Sequence, residues 1–333
     1  MQTIALGNAG MRSSILGFGC SAVMGRVGRR ASVAALSAAY DAGVTFFDTA
    51  RSYGYGESEA LLGEFLHGRR SSALIATKFG ILPTPPSRLK QTLKPVARSI
   101  LQLAPATRKA IHNQLSAQSS SGHFSLDALH TSLHASLRAL RTDYVDFLFL
   151  HEPPATVLQQ DDLFAALNRL IAAGKVRCVG VAAQPEMVEL ALTCDLPTVQ
   201  SVQVPCDLLH IDAAERAIAS HTGLAIIGNH PFGGAAGIDT LKTQLRSLAA
   251  NPNTPGNLRE KLQPQEDSLL ADAVLNVIAH ASPVQIIVPS MLQLNHLRAN
   301  IAAIEHSRFS SEELHYLGTT LCSAETPKAT QSA

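Results

Sequence analysis

The stretch AGVTFFDTARSYGYGESEALLGEFL (42–66) predicts a strand, a loop and a helix in immediate succession. Its apolar run ends on an acid, Asp48, and Tyr53 follows in a loop rich in Gly and Ser. Apolar residues then recur at helical spacing, and Gly68 marks the end of the helix. The stretch is therefore one strand–helix unit with a polar residue at the carboxyl end of its strand.

The same unit recurs along the chain. Continuous apolar runs are typical of strands that are buried on both faces of a parallel sheet. The predicted strands are ILGFG (15–19), VTFFD (44–48), ALIATK (73–78), VDFLFLH (145–151), KVRCVGVAA (175–183), TVQSVQV (198–204), LAIIGN (224–229) and VQIIVPS (284–290). Eight such units favour an α/β fold of the closed (β/α)8 type, a TIM barrel, over an open doubly wound sheet. No GxGxxG follows the first strand, which also argues against a dinucleotide-binding open sheet.

We expect residues 1–323 to form a single domain that opens with a β-hairpin over 3–14 and is followed by a disordered tail, 324–333. Residues 82–124 follow the third strand, contain no Asp or Glu, and space their apolar residues as an amphipathic helix does. They predict a basic helical insertion, which is either a solvated helix pair on the barrel or a lid or docking surface. Residues 231–266 are rich in Gly, Asn and Pro and predict a long loop.

Composition bounds the function. The chain has 333 residues, of which 46% are hydrophobic and 16% charged, and its net charge of +1 gives no field that would attract nucleic acid. It has no Trp for stacking bases, and its five scattered cysteines fit neither a disulfide scaffold nor a zinc site. No long apolar run predicts a transmembrane segment, and the start MQTIALGNAG lacks the pattern of a secretory signal. We therefore expect a soluble cytoplasmic protein with no metal, and the sequence leaves the oligomeric state open.

Polar residues end three of the predicted strands: Asp48, Lys78 and His151. The carboxyl ends of the strands of a parallel barrel meet at one face, where active sites lie. Each residue taken singly has a structural explanation, since strand ends often carry a polar side chain. Their joint placement, with Tyr53 in the loop after Asp48, indicates a catalytic site.

These residue types suit proton donation to an oxygen. Free Tyr titrates near pH ~10, and a nearby Lys lowers that pKa by favouring the phenolate. Asp48 can hold Lys78 in its charged form, and His151 can donate a hydrogen bond to the oxygen that Tyr53 protonates. The set contains no nucleophile, so a hydride cofactor would have to supply the remaining chemistry.

The motifs DTA, YG, SE and LG within 42–66 resemble the signature of the aldo-keto reductase superfamily, particularly its bacterial-type branch. LIATKFG, ALRTDYVDFLFLH, GKVRCVGV and VQIIVPSMLQLNHLRANIAAI resemble later segments of the same family, in order. The resemblance implies a TIM barrel and NADPH-dependent reduction of small aldehydes or ketones. It also implies a catalytic tetrad of Asp48, Tyr53, Lys78 and His151.

The resemblance further implies the residues that hold the cofactor, NADP(H), with NAD(H) left open. They are Gln203 at the nicotinamide amide; Asn229 and Phe232 after the seventh strand; Ser290, His296 and Arg298 near the 2′-phosphate; and Asn300 at the adenine. Asn229 stands where the family commonly has an aromatic residue, and Ala182 and Ala183 stand where it usually has Ser-Asn. These departures leave a second interpretation open, in which the barrel is a non-catalytic, cofactor-binding regulatory or accessory module.

Overall fold

The computed structural model describes residues 1–83, 122–218, 221, 223–263 and 267–322. The strands are β1 Thr3–Ala5, β2 Arg12–Ser14, β3 Gly17–Gly19, β4 Phe46–Asp48, β5 Leu74–Phe79, β6 Val145–His151, β7 Val176–Ala182, β8 Val199–Pro205, β9 Ala225–Asn229 and β10 Ile286–Val288. The α-helices are α1 Arg29–Asp41, α2 Ser58–Phe65, α3 Leu126–Leu140, α4 Asp161–Ala172, α5 Pro185–Thr193, α6 Ile211–Ile218, α7 Gly234–Ala250, α8 Gly256–Lys261, α9 Asp267–Ala281, α10 Leu294–Glu305 and α11 Ser311–Cys322.

Strands β3 to β10 form one parallel sheet of eight strands, and each strand pairs with the next in chain order. A parallel bridge between Leu16 and Ile287 joins the two ends of the sheet, and the Ile287 amide donates to the Ile15 carbonyl at 2.9 Å. The sheet therefore closes into the predicted (β/α)8 barrel.

The strands alternate their side chains between two cores, as the two-residue period of a strand requires. One core lies between the strands and the surrounding helices, and the other fills the barrel. Inside the barrel Phe147 stacks on Phe149 with ring centroids 6.0 Å apart, and Phe46 meets Phe147 edge-on at 5.7 Å. The carboxyl ends of the strands therefore stand above an aromatic floor formed by Phe46, Phe147 and Phe149.

The antiparallel hairpin of β1 and β2 lies at the amino ends of the barrel strands, since the Ser14 amide donates to Thr45 Oγ1 just before β4 and the Asn8 amide donates to the Gly223 carbonyl just before β9. Its turn places Leu6 and Met11 in the inner core, both almost completely buried. The predicted N-terminal hairpin is thus confirmed, and it closes the barrel at the amino ends of the strands.

The long loop predicted for 231–266 is wrong, because α7 and α8 occupy most of it. Leu241, Leu245 and Leu248 have helical spacing and are buried, and this stripe outweighs the Gly and Asn residues around it. The basic helical insertion predicted for 82–124 lies almost wholly outside the described residues, as does the tail predicted for 324–333. The single-domain extent of 1–323 stays a prediction.

Among the described residues, no helix is both long enough and apolar enough to cross a membrane.

Candidate active site

Strand register brings the sequence-predicted residues to the mouth of the barrel. Asp48 is the last residue of β4, Lys78 is the second-last residue of β5, and His151 is the last residue of β6. Pairing aligns Lys78 with Phe149, and His151 with Ala182, which in turn is aligned with Gln203. The inward-facing positions of neighbouring strands therefore form one ring of side chains above the aromatic floor.

Asp48 and Lys78 form a buried ion pair. Lys78 Nζ lies 2.5 Å from Asp48 Oδ1 and donates a second hydrogen bond to the Thr49 carbonyl at 3.1 Å. Burial opposes the positive charge of Lys78, but the carboxylate of Asp48 and the phenol of Tyr53 outweigh it, so the pKa of Lys78 is raised. Lys78 is therefore a fixed cation in the ligand-free protein.

Tyr53 lies over this pair. Lys78 Nζ is 5.0 Å from the centroid of the Tyr53 ring, and the Tyr53 amide donates to the Ala50 carbonyl at 3.1 Å. The next residue, Gly54, has φ +58°, and a Cβ there would lie 2.3 Å from the Val23 carbonyl oxygen. Only glycine allows the loop to pass this close to its neighbour, so Gly54 fixes the path that returns Tyr53 to the mouth.

The pKa of Tyr53 differs from the sequence-based expectation. Burial is the largest influence and raises it, whereas Lys78 lowers it by a smaller amount, so the net direction is upward. A raised pKa keeps the phenol protonated at neutral pH. At neutral pH Tyr53 is thus a protonated phenol, not a phenolate.

His151 faces Tyr53 with ring centroids 6.2 Å apart in an edge-to-face arrangement. Burial first, and the charge of Lys78 second, lower the pKa of His151 to about 3. Its ring is therefore neutral at physiological pH and carries one N–H. Nδ1 is buried and has no hydrogen-bond partner among the described residues.

Two amide side chains at the carboxyl ends of later strands also have buried polar atoms without a hydrogen-bond partner. Gln203 is completely buried near the end of β8, and neither its nitrogen nor its oxygen has a partner within the described part of the chain. Oδ1 of Asn229, at the end of β9, is likewise buried without a partner there. Buried polar groups in native proteins are almost always hydrogen-bonded, so unpaired ones at the carboxyl ends of neighbouring strands make this end of the barrel a candidate ligand site. Gln203 can offer one donor and one acceptor, which is what a carboxamide requires.

The other predicted cofactor residues lie further out. Phe232 is half-buried and packs on the core between strands and helices. Ser290, His296 and Arg298 are exposed around the start of α10, and Asn300 is buried on the same helix. Ala182 and Ala183 are buried at the end of β7 and offer only methyl groups. The structure thus brings Gln203 and Asn229 to the tetrad but not the residues of α10.

Sequence reasoning missed one contact of Lys78. The Thr49 carbonyl accepts from Lys78, and no residue type signals a backbone acceptor. His230 follows Asn229; burial lowers its pKa, and the charges of Asp48 and Lys78 also act on it, so its ring belongs to the same mouth. Across the described ranges, no group of three or more His, Cys, Asp or Glu is arranged to hold a metal.

Comparison with known proteins gives a consistent result. A sequence model described as "Aldo/keto reductase family" matches residues 15–319. The protein named "Probable aldo-keto reductase 1" from Glycine max is 23% identical over 326 residues, covering 91% of this chain and 84% of that protein. Pyridoxal 4-dehydrogenase from Microbacterium luteolum is 31% identical over 194 residues, which cover 53% of this chain and 54% of that enzyme.

Solved structures share the fold. An aldo-keto reductase from Bacillus halodurans, in its holo form, superposes with a TM-score of 0.67 over 100% of both chains at 20% identity. An aldo-keto reductase from Klebsiella pneumoniae, in complex with NADPH, gives a TM-score of 0.66 over 98% of each chain at 22% identity.

Proposed function

Because the chain belongs to the aldo/keto reductase family of oxidoreductases, we propose that it reduces a small aldehyde or ketone to the alcohol at this mouth, with NADPH as hydride donor. The observation that carries the proposal is the cluster of Asp48, Lys78, Tyr53 and His151 above the aromatic floor. It combines a protonated phenol, a fixed cation and a neutral imidazole at one face. These are the parts that a proton donor to a carbonyl oxygen needs.

The residues of the chain divide the proton work between them. His151 is neutral, so its N–H can orient the carbonyl oxygen without adding a charge. Tyr53 donates its phenolic proton to that oxygen as the carbonyl carbon becomes an alcohol carbon. Lys78 stabilises the phenolate that this step leaves, and Asp48 keeps Lys78 in place. Tyr53 regains its proton from solvent before the next turnover.

The mouth fits a nicotinamide cofactor, which when bound supplies the hydride. The two unpaired atoms of Gln203 match the carbonyl and amine of a carboxamide, and the unpaired oxygen of Asn229 adds an acceptor beside them. Arg298 supplies the positive charge that supports NADP(H) over NAD(H), with His296 on the same helix as a further proposed contact, and NADPH is bound in the Klebsiella pneumoniae relative. Asn300 remains the proposed adenine contact.

A second function is favoured by one observation. Ala182 and Ala183 present only methyl groups at the end of β7, so this strand gives a nicotinamide no side-chain hydrogen bond. A barrel that binds cofactor and performs no reduction, as a regulatory or accessory module, would tolerate this loss. Binding of NADPH without turnover of any carbonyl would support that module.

The deciding experiment uses Tyr53→Phe, which removes one hydroxyl and keeps the ring. A panel of aldehydes, ketones and sugars is first tested with NADPH and NADH, and the best substrate is then followed in single-turnover reduction. General acid catalysis contributes about 10²–10⁴-fold, so the variant should lose at least that much rate while its cofactor affinity is retained. A near wild-type rate in Tyr53→Phe would place the proton donor elsewhere and end the assignment.

A further inference from the structure

A buried acid in the first turn of α2 has no part in the proton chemistry described above. The side chain of Glu59 is 1% exposed. Its Oε1 accepts a hydrogen bond from Thr77 Oγ1 at 2.6 Å, and its Oε2 pairs with Arg51 Nη1 at 3.2 Å. Removing a carboxylate from water costs free energy, and a buried ion pair is weak evidence of a gain in stability. The burial of Glu59 therefore calls for another explanation.

The two partners of Glu59 belong to the two segments that deliver the tetrad. Thr77 directly precedes Lys78 in β5, and because side chains alternate along a strand, Thr77 faces α2 while Lys78 faces the barrel interior. Arg51 lies in the loop between Asp48 and Tyr53. One carboxylate therefore ties the loop of Tyr53 to the strand of Lys78.

The neighbouring residue makes a parallel set of contacts. Ser58 Oγ donates to the Cys20 carbonyl at 3.1 Å and lies 3.3 Å from Thr49 Oγ1. The carbonyl of that same Thr49 accepts from Lys78. The first turn of α2 thus contacts the ends of β3, β4 and β5 from outside the barrel, while the tetrad occupies the inside.

We propose that Glu59 is a positioning residue, which holds the loop carrying Tyr53 in register with the strand carrying Lys78. Glu59 touches neither substrate nor reacting atoms, and it acts through Arg51 and Thr77. A displacement of about 1 Å at a reacting group can cost about 10²-fold in rate, so a tether of this kind affects catalysis strongly. The catalytic part of the inference rests on the proposed function; the geometric part does not.

The test compares Glu59→Leu, which removes both contacts, with Glu59→Gln, whose amide oxygen can still accept from Thr77. Asp146→Asn is the matched control. Asp146 is also a buried carboxylate, paired with Arg70 at 2.7 Å and Arg177 at 2.9 Å, but it stands at the amino end of β6, away from the mouth. Any general effect of breaking a buried ion pair should appear equally in the control.

The first readout needs no activity. The phenol of Tyr53 is titrated by ultraviolet absorbance, as the difference between each protein and the same protein carrying Tyr53→Phe. Since burial is the main cause of the raised pKa, release of the loop in Glu59→Leu should bring that pKa down towards its ordinary value. Glu59→Gln should shift it less, and Asp146→Asn should leave it unchanged.

The second readout is turnover. Glu59→Leu should lower kcat by about 10²-fold, with KM changed little, and Glu59→Gln should recover part of the loss. If Glu59→Leu yields no folded protein, Thr77→Val removes one of the two contacts in a near-isosteric side chain and should act in the same direction. If Glu59→Leu keeps the wild-type pKa of Tyr53 and the wild-type kcat, the proposal is overturned. Equal effects of Glu59→Leu and Glu59→Gln, or of Glu59→Leu and Asp146→Asn, would overturn it as well. If the wild type reduces no carbonyl, the proposed function fails, and the Tyr53 titration still decides the role of Glu59.

Discussion

Lys78 Nζ lies 2.5 Å from Asp48 Oδ1, and the two side chains are only 2% and 6% exposed. Because both side chains are buried, little water screens the pair from the Tyr53 ring, whose centroid lies 5.0 Å from Lys78 Nζ. In such surroundings a charge acts strongly on its neighbours, and a charge that loses its partner is costly. The same pair therefore governs both the stability of the mouth and the energy of a phenolate at Tyr53.

The first prediction concerns that pair. Lys78→Met leaves Asp48 buried without its cation, which should cost about 3–5 kcal/mol of unfolding free energy. Turnover should fall about as far as in Tyr53→Phe, because no cation then stabilises the phenolate. Adding Asp48→Leu to Lys78→Met should restore most of the stability and none of the activity. Urea unfolding and single-turnover reduction measure the two effects, and a double variant no more stable than Lys78→Met would contradict the paired-charge account.

The pair also sets an alkaline limit. Because the pKa of Lys78 is raised in the folded protein, its stabilising contribution is fully present below the unfolded pKa. That contribution is lost as the pH rises through the folded pKa. Wild-type stability should therefore fall at strongly alkaline pH more steeply than that of Lys78→Met, as unfolding in urea across that range would show.

A second prediction concerns acid. The pKa of His151 is lowered to about 3 in the folded protein, against about 6.5 in an unfolded chain. Between these values the unfolded chain binds the extra proton, so stability should fall as the pH decreases, by up to about 1.4 kcal/mol per pH unit. His151→Gln should flatten this part of the stability profile, whereas His134→Gln, a change on an exposed face of α3, should not. Identical acid profiles for wild type and His151→Gln would show that another group is responsible.

A third prediction concerns the choice of cofactor. Arg298 is exposed on α10, close to where the 2′-phosphate is proposed to bind. A partly exposed charge contact contributes about 1 kcal/mol or less, so Arg298→Ser should weaken NADPH binding by up to about fivefold and leave NADH binding unchanged. The change in fluorescence of NADPH and of NADH on titration with the protein, which has no Trp of its own, measures both affinities. Equal losses for the two cofactors would move the phosphate contact away from Arg298.

The strands were predictable because strands that are buried on both faces have continuous apolar sequences. VDFLFLH (145–151) matches β6 residue for residue, since its five apolar side chains all pack in one of the two cores. The 231–266 prediction failed because turn-forming residues at its edges concealed the buried stripe of α7. The local composition predicted a loop there, the helical spacing of the apolar residues predicted a helix, and the structure has the helix.

The meeting of Asp48, Lys78 and His151 followed from a single topological fact, that the carboxyl ends of parallel strands share a face. Their catalytic roles stay a prediction. The depth of burial could not be foreseen, because it depends on the aromatic floor contributed by other strands. For that reason the sequence-based prediction assigned the leading influence on the pKa of Tyr53 to Lys78, whereas burial is the largest influence. The contacts of Glu59 could not be predicted either, since the loop of Tyr53 and β5 are joined through it only when α2 packs on the barrel.

The last prediction concerns Gln203, whose two amide atoms are buried without a partner among the described residues. An unpaired buried amide costs about 1–3 kcal/mol, so Gln203→Leu, which is similar in size and apolar, should make the ligand-free protein more stable. The same change removes the donor and the acceptor offered to the nicotinamide carboxamide, so cofactor affinity should fall by about tenfold or more. Gln244→Leu is the matched control, because its Oε1 is also buried and unpaired but lies well along α7; it should leave cofactor affinity unchanged. Unfolding in urea without cofactor and fluorescence titration with NADPH give the two values. A Gln203→Leu protein that loses stability, or that binds NADPH as tightly as wild type, would show that Gln203 serves the fold and not the ligand.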